Sequence, residues 1–289
     1  MPFTISQIRS QLAKTLIPLY GETEAGQMVK MLFIHFCGIS GVSLVLQKND
    51  FLPTEQYEKL QKALRQLLNH MPIQYILGRT WFYNLSFEVN SAVLIPRPET
   101  EEMVDLIVTE TSQSVVSGNL NLLDIGTGSG SIAVALKKTF PFWHVNACDI
   151  SEEALQVARR NADYSGTSIN FFKADILRWK EWADFGTYHF IVSNPPYVCE
   201  HEKSQMQPNV LDHEPSLALF VPDDDPLVFY RAIAEFAASR LLQHGKLYLE
   251  INESYGSELV NLLKSFGYSD IELRKDFRGK ERFAIARKV

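Results

Sequence analysis

The residues best suited to chemistry stand together at Asn194-Pro195-Pro196-Tyr197, directly after the apolar run Phe190-Ile191-Val192-Ser193. Consecutive prolines fix two φ angles and remove two backbone donors, so the turn offers carbonyl acceptors without competing N–H groups. Asn194 adds a carboxamide oxygen and Tyr197 a flat aromatic wall. Two acceptors, the Asn194 oxygen and the Pro195 carbonyl, suit a planar NH2 group. The lone pair of such a nitrogen is delocalised, which makes it a poor nucleophile. Holding both hydrogens sets the nitrogen in line with an electrophile and favours the charge that develops on it. No strong general base stands nearby, and none is needed before transfer, because the proton can leave afterwards. A turn that merely ends a strand could use the same residues, so the segments before it decide.

The first of these is Leu123-Asp124-Ile125-Gly126-Thr127-Gly128-Ser129-Gly130. Glycines let the backbone turn sharply and let a ligand approach without a Cβ in the way. A helix beginning near Gly130 aims its free N–H groups at the same space. A dinucleotide fingerprint needs glycine at the first, third and sixth positions; counting from Gly126, the sixth is Ser131. An acidic residue two places before the first glycine, Asp124, instead resembles the S-adenosylmethionine loop of Rossmann-like methyltransferases. That ligand carries an ammonium and a sulfonium and no pyrophosphate, so a carboxylate beside the glycines makes electrostatic sense. Asp124, Gly126, Thr127, Gly128, Ser129 and Gly130 are the expected cofactor contacts.

Two further acidic residues follow the next apolar runs. Asp149, in Ala147-Cys148-Asp149-Ile150, lies about 20 residues past the glycines, where a carboxylate accepts from both ribose hydroxyls. Capping the helix that starts at Ser151-Glu152 is the alternative role for it. Asp175 ends Lys173-Ala174-Asp175-Ile176. In related methyltransferases the acidic side chain here binds the adenine amino group, and the next residue, Ile176, packs on the ring; a solvated strand end is the alternative. Asn194 completes the expected cofactor contacts.

The elements that position these groups alternate. Strands are expected at 121–125, 144–149, 169–174, 188–193, 246–251, 270–276 and 282–287, with helices near 130–139, 152–164, 226–242 and 256–266. Such alternation implies an α/β fold, a mostly parallel sheet with helices on both faces, whose ligands bind beyond the carboxyl ends of the strands. Residues 1–75 read as a small helical bundle. Ile5, Ile8, Leu12 and Leu16 form one face after a Thr4–Gln7 capping box, a second run covers Glu22–Phe36, and a third places Leu60, Ala63, Leu64, Leu67 and Leu68 together. Residues 76–98 read as a joint built on a hairpin, Trp81-Phe82-Tyr83 and Leu85 to Val89 with Asn84 and Asn90 as turn residues. Pro96 and Pro98 then force an extended segment and a helix start. Residues 99–289 form the expected catalytic domain.

Val198 to Asp225 lacks a period and reads as a binding loop, in which Leu211-Asp212-His213-Glu214-Pro215 helps close the site. His189, His201 and His213 show no metal-ligand partners at workable spacing, so no metal is assigned. Cys37, Cys148 and Cys199 are scattered and odd in number, as reduced thiols are. Met1-Pro2-Phe3-Thr4 opens no leader, and no run reaches membrane-spanning length, so a cytoplasmic location is expected. The net charge of −6, from 28 basic and 34 acidic residues, weighs against a grip on naked nucleic acid.

The ordered set of the N-terminal helical segment, Ile95-Pro96-Arg97-Pro98-Glu99-Thr100-Glu101, Asp124 to Gly130, Asn194 to Tyr197, Glu214-Pro215, and Asp276 with Glu281-Arg282 closely resembles the peptide chain release factor glutamine methyltransferases (the HemK/PrmC family). The motifs match in order from about residue 70 onward; the segment before them matches in length and helical character. The resemblance implies a Rossmann-like class I S-adenosylmethionine-dependent methyltransferase domain behind a small helical domain. It implies methyl transfer from S-adenosyl-L-methionine, leaving S-adenosyl-L-homocysteine, to the side-chain amide nitrogen (N5) of the glutamine in the Gly-Gly-Gln loop of class I release factors. It implies that Asn194 and Pro195 bind that amide, that Tyr197 packs against it beside Pro196, and that the Pro96–Thr100 segment, with Arg97 and Thr100, lines the path of the peptide. Ribosomal protein glutamine methyltransferases share the tetrapeptide; the Pro-Arg-Pro-Glu-Thr form at 96–100 favours the release-factor branch. Adenine-N6 methylation of DNA or RNA would use the same acceptors but requires base flipping and a grip on phosphates. The acidic balance and the lack of an evident target-recognition domain oppose it. A sheet that only binds is opposed by the intact loop and tetrapeptide.

Overall fold

The helical face at Ile5, Ile8, Leu12 and Leu16 is buried on helix α1 (Ile5–Cys37) in a computed structural model that describes residues 3–113, 118–182 and 186–289. Met1 and Pro2, part of the N-terminal reading, lie outside the described residues. Thr4 caps the helix reciprocally: its hydroxyl accepts from the Gln7 amide at 3.3 Å and its own amide donates to Gln7 Oε1 at 2.9 Å. Gly21, at φ 75°, interrupts α1 between the two runs that the sequence separated. Helices α2 (Gly41–Leu46), α3 (Thr54–Leu68) and α4 (Ile73–Leu77) complete this unit. Leu60, Ala63, Leu64 and Leu67 of α3 are buried, whereas Leu68, grouped with them by spacing, is exposed. Met1–Gly78 and Gln207–His213 form one compact unit, and Arg79–Met206 with Glu214–Val289 form the other.

The second unit begins with a hairpin of β1 (Arg79–Phe82) and β2 (Leu85–Glu88). Its two-residue turn puts Tyr83 and Asn84 at φ 48° and 59°, the left-handed pair that matches the twist of a tight hairpin. Helix α5 (Pro98–Gln113) follows. The sequence placed its start but not its length: two of its five buried positions, Thr100, Met103, Val104, Ile107 and Thr111, are threonines, which blur the apolar period.

All seven strands expected from the alternation form one sheet. They are β3 (Asn121–Ile125), β4 (His144–Asp149), β5 (Asn170–Lys173), β6 (Tyr188–Ser193), β9 (Leu241–Glu250), β10 (Tyr268–Lys275) and β11 (Glu281–Lys288), in the order β10-β11-β9-β6-β3-β4-β5. The five from β9 to β5 are parallel and β11 pairs antiparallel with β9. Helices α6 (Ser131–Thr139), α7 (Glu152–Ser165), α9 (Val228–Arg240) and α10 (Gly256–Ser265) cover it. Leu122, Leu123, Ile191, Val192, Leu247 and Leu249 are fully buried, as continuous apolar runs between two helical layers must be. Strand order reverses at β3, where the chain leaves one side of the sheet for the other, and the crevice at that reversal is where such sheets bind ligands.

The aperiodic stretch after the tetrapeptide is ordered by a short parallel pair, β7 (Val198–Cys199) and β8 (Phe220–Val221), with helix α8 (Pro208–Leu211) between them. The expected closing segment Leu211–Pro215 is split: Leu211 to His213 belong to the helical unit, where His213 Nε2 meets the Asn69 carbonyl at 2.7 Å, and Glu214 and Pro215 belong to the sheet unit. No helix among the described residues is long and apolar enough to cross a membrane.

Candidate active site

At the end of β3 the chain turns through Gly126, Gly128 and Gly130, at φ 72°, 54° and 80°. The Gly126 and Thr127 amides both donate to the Cys148 carbonyl at 2.9 Å, which ties the loop to the end of β4. Gly128 offers the open side of the loop, since a Cβ there would meet nothing within 4 Å. Gly130 differs: a Cβ on it would sit 3.1 Å from the Ala158 Cβ, so its smallness serves the packing of α6 on α7. Buried Asn161 of α7 braces this region, donating to the Ser129 carbonyl at 2.9 Å and exchanging hydrogen bonds with the Glu88 backbone at 2.6 and 3.0 Å.

Asp124 does not face the cavity. It is fully buried behind the loop, and the Thr127 hydroxyl donates to its Oδ2 at 2.6 Å. Its Oδ1 is buried without a hydrogen-bond partner. Burial pushes its pKa up to about 7, against the opposing hydrogen bond from Thr127. Asp149 does face the cavity, and its two oxygens accept from the Gly128 and Ser151 amides at 2.9 Å each. Burial raises its pKa while these amide bonds lower it. Ser151, not Asp149, caps α7, its hydroxyl accepting from the Ala154 amide at 3.1 Å. Asp175 folds into an Asx turn, Oδ1 accepting from the Leu177 amide at 2.9 Å, and borders the cavity with Ile176 and Leu177.

The cavity measures about 390 Å³ and lies beyond the carboxyl ends of β3, β4, β5 and β6. Gly126 to Ser129, Asp149 and Asp175 to Leu177 line it, together with Asn194, Pro195, Pro196, Arg97 and Thr100. Of the residues expected to contact a ligand, it therefore gathers all but Asp124, Gly130 and Tyr197. The Tyr197 hydroxyl turns into the protein and donates to Glu250 Oε1 at 3.0 Å. Burial, then the Glu250 charge, push that hydroxyl far above the usual phenol range, so it stays protonated.

Glu250, at the end of β9 and 1% exposed, also accepts from the Thr100 hydroxyl at 2.7 Å on Oε2. Thr100 Oγ1 in turn accepts from Asn194 Nδ2 at 3.1 Å. Burial raises the Glu250 pKa, with the Thr100 and Tyr197 hydrogen bonds and the Arg282 charge opposing it. Arg282 is held by Asp276 Oδ2 at 3.3 Å and the Ile251 carbonyl at 3.2 Å. Glu250 escaped the sequence reading. The signal that could have found it is the one that marked Asp149, an acid ending the apolar run of a parallel strand.

Glu214, whose side chain is 1% exposed, accepts from Arg97 Nη2 at 2.6 Å and from the Ile95 amide at 3.1 Å, pinning the extended segment before α5. Among the histidines, His189 Nδ1 accepts from the Asn121 amide at 3.0 Å. His201 does stand beside groups of metal-ligating type, which the sequence spacing around it does not show. The pairing of Cys199 with Val221 brings His201 beside Asp223, at 2.7 Å, with the Cys199 sulfur in the same group within 4.8 Å. That proximity comes from strand pairing across the chain and has no trace in local spacing. Burial raises the Cys199 thiol pKa, which opposes the thiolate a metal would need.

The Methyltransferase small domain family matches residues 105–213, and the PrmC N-terminal domain family matches residues 6–78. A release factor glutamine methyltransferase of Bacteroides thetaiotaomicron is 40% identical over 98% of this chain and 99% of its own length. One of Flavobacterium psychrophilum is 41% identical over 96% and 97%. Among solved structures, a methyltransferase from Pyrococcus furiosus aligns with a TM-score of 0.51 at 21% identity, covering 79% of this chain and 98% of that one. A Thermus thermophilus 16S rRNA methyltransferase in complex with AdoMet and guanosine aligns at 0.53 and 15% identity, covering 73% and 50%. These two likenesses are of fold.

Proposed function

The chain belongs to the release factor glutamine methyltransferase family, and from that premise we propose that it methylates the N5 amide nitrogen of the glutamine in the Gly-Gly-Gln loop of class I peptide chain release factors, with S-adenosyl-L-methionine as donor and S-adenosyl-L-homocysteine as product. The observation that carries this reading is the placement of Asn194 and Pro195 on the wall of the same cavity as the glycine loop, Asp149 and Asp175.

The donor set suits the cofactor. The open side of Gly128 admits a close approach, and Asp149, Asp175 and Ile176 line the same cavity, where Asp149 would hold the ribose hydroxyls, Asp175 the adenine amine and Ile176 the adenine ring. Asp124 acts from behind the loop through Thr127, whose hydroxyl donates to its Oδ2. When bound, the cofactor supplies a methyl group on a sulfonium. Asn194 Oδ1 and the Pro195 carbonyl accept the two amide hydrogens and orient the nitrogen. No side chain has to remove a proton first. Tyr197 serves through its hydrogen bond to Glu250. In this reading residues 1–75 are the helical domain, 76–98 the hairpin joint and 99–289 the catalytic domain, with Gln207–His213 returning to the helical unit. The partner is protein, with no direct nucleic-acid or membrane contact, and the reaction takes place in the cytoplasm.

Asp149→Ala weakens cofactor binding by about 10- to 100-fold, the size expected when a charged acceptor of two hydrogen bonds is removed. Titration calorimetry checks it, and unchanged affinity would remove Asp149 from the ribose role. The substrate is tested by offering methyl-labelled cofactor side by side to purified release factor, ribosomal protein and duplex DNA. Label enters the release factor and is lost when its loop glutamine is replaced. Label on DNA, or on the ribosomal protein alone, overturns the assignment.

A further inference from the structure

A carboxamide has an accepting end and a donating end, and a substrate NH2 needs only the first. We propose that Glu250 is a positioning residue that fixes the Asn194 carboxamide with its oxygen toward the substrate, acting through the Thr100 hydroxyl, while its other oxygen holds the far end of the tetrapeptide through Tyr197. The inference rests on the function proposed above.

The sheet register brings these groups together. Ser193 of β6 pairs with Leu249 of β9, so Asn194 and Glu250 are the next positions along two parallel neighbours. Thr100, 3% exposed on the first turn of α5, stands between them. A threonine hydroxyl has one hydrogen. Here it goes to Glu250 Oε2 at 2.7 Å, so only a lone pair remains for Asn194. Asn194 must therefore turn Nδ2 toward Thr100, as it does at 3.1 Å, which leaves Oδ1 as the end available to the cavity. With both Glu250 oxygens accepting, Oε2 from Thr100 and Oε1 from Tyr197, the relay runs in one direction. With a donor in place of Glu250, the Thr100 hydroxyl is free to swing toward Asn194 Oδ1. The amide would then turn over and set an NH2 against the substrate's NH2, a donor facing a donor. Glu250 Oε1 accepts from Tyr197 at 3.0 Å, so one buried carboxylate anchors both the first and last residues of the tetrapeptide.

Glu250→Gln keeps the shape and removes the one-way polarity. It lowers kcat by about 10- to 100-fold, below the loss of a directly contacting group. Cofactor affinity changes by less than about three-fold, since Glu250 lies off the cofactor cavity. Thr100→Val gives a loss of similar size, and Thr100→Ser, which keeps the hydroxyl, recovers most of it. The double variant Glu250→Gln/Thr100→Val is no slower than the slower single variant, because both cut one relay. A readout without turnover uses protein with 15N-labelled asparagine. The Asn194 side-chain NH2 protons exchange slowly in the wild type and faster in Glu250→Gln and Thr100→Val. Full kcat in Glu250→Gln, additive losses in the double variant, or unchanged Asn194 exchange would each sink the proposal. Failure of the wild type to methylate release factor, with the exchange pattern as described, counts against the proposed function and leaves the positioning role standing.

Discussion

Asn194→Ala lowers methyl transfer to the release factor by roughly 100- to 1000-fold, the range seen when one preorganised group facing developing charge is removed, while cofactor affinity stays within a few-fold of wild type. The reason is local. An amide nitrogen attacks poorly because its lone pair is shared with the carbonyl, and the lone pair becomes available as the N–H hydrogens are drawn to acceptors on one side. Asn194 and Pro195 both line the cavity, and in the proposed reaction Asn194 Oδ1 is one such acceptor and the Pro195 carbonyl the other. Alanine leaves one substrate hydrogen unpaired in a partly buried site and leaves the nitrogen free to rotate out of line. The cofactor side is spared because Asp149, Asp175 and the glycine loop are held by their own hydrogen bonds, to Ser151, Leu177 and Cys148 among others. Single-turnover kinetics with saturating cofactor separate the two effects. A collapse of cofactor binding with a normal rate per bound cofactor would remove Asn194 from the transfer step.

Much of this site is legible along the chain because its groups lie at the carboxyl ends of parallel strands. Buried apolar pairs stand just before these groups, Leu122-Leu123 on β3, Ala147-Cys148 on β4 and Ile191-Val192 on β6, so Asp124, Asp149 and Asn194 mark themselves near the strand ends. The pattern gives position and not direction. Asp124 occupies the expected place in the chain but points into the core behind the glycine loop, because burial of a side chain is decided by packing around it. Gly130 belongs to the motif yet answers to Ala158 of α7. Tyr197 was expected beside the substrate, but its hydroxyl is drawn toward Glu250. The Glu250 relay spans sequence separations of 150 residues to Thr100 and 53 to Tyr197, and no local period records pairings of that range. The same holds for β7 and β8, two residues each, which order a stretch that has no pattern of its own.

Arg97→Ala destabilises the sheet unit by about 3 kcal/mol, at the low end for breaking a buried ion pair from one side. Sequence resemblance gives Arg97 a place on the peptide path, and it does border the cavity. Its guanidinium, however, is committed to Glu214 at 2.6 Å, and the two side chains are 31% and 1% exposed. Removing Arg97 therefore leaves a carboxylate in the interior with only the Ile95 amide for company. Water reaching the half-open Arg97 side moderates the loss, hence a value below the extreme. For a unit of this size a loss of 3 kcal/mol corresponds to a drop of roughly 6–12 °C in Tm. Because Glu214 fixes Ile95, and through it the turn into α5 that carries Thr100, the variant also raises KM for the release factor. Replacing both partners by apolar residues of similar volume, Arg97→Met with Glu214→Leu, restores a large part of the stability but not the KM. If Arg97 served the substrate alone, Arg97→Ala would keep its Tm within about 1 °C of wild type and lose only affinity for the release factor. The two roles are thus separated by a thermal melt, and the geometry of the Glu214 pair favours the melt that falls.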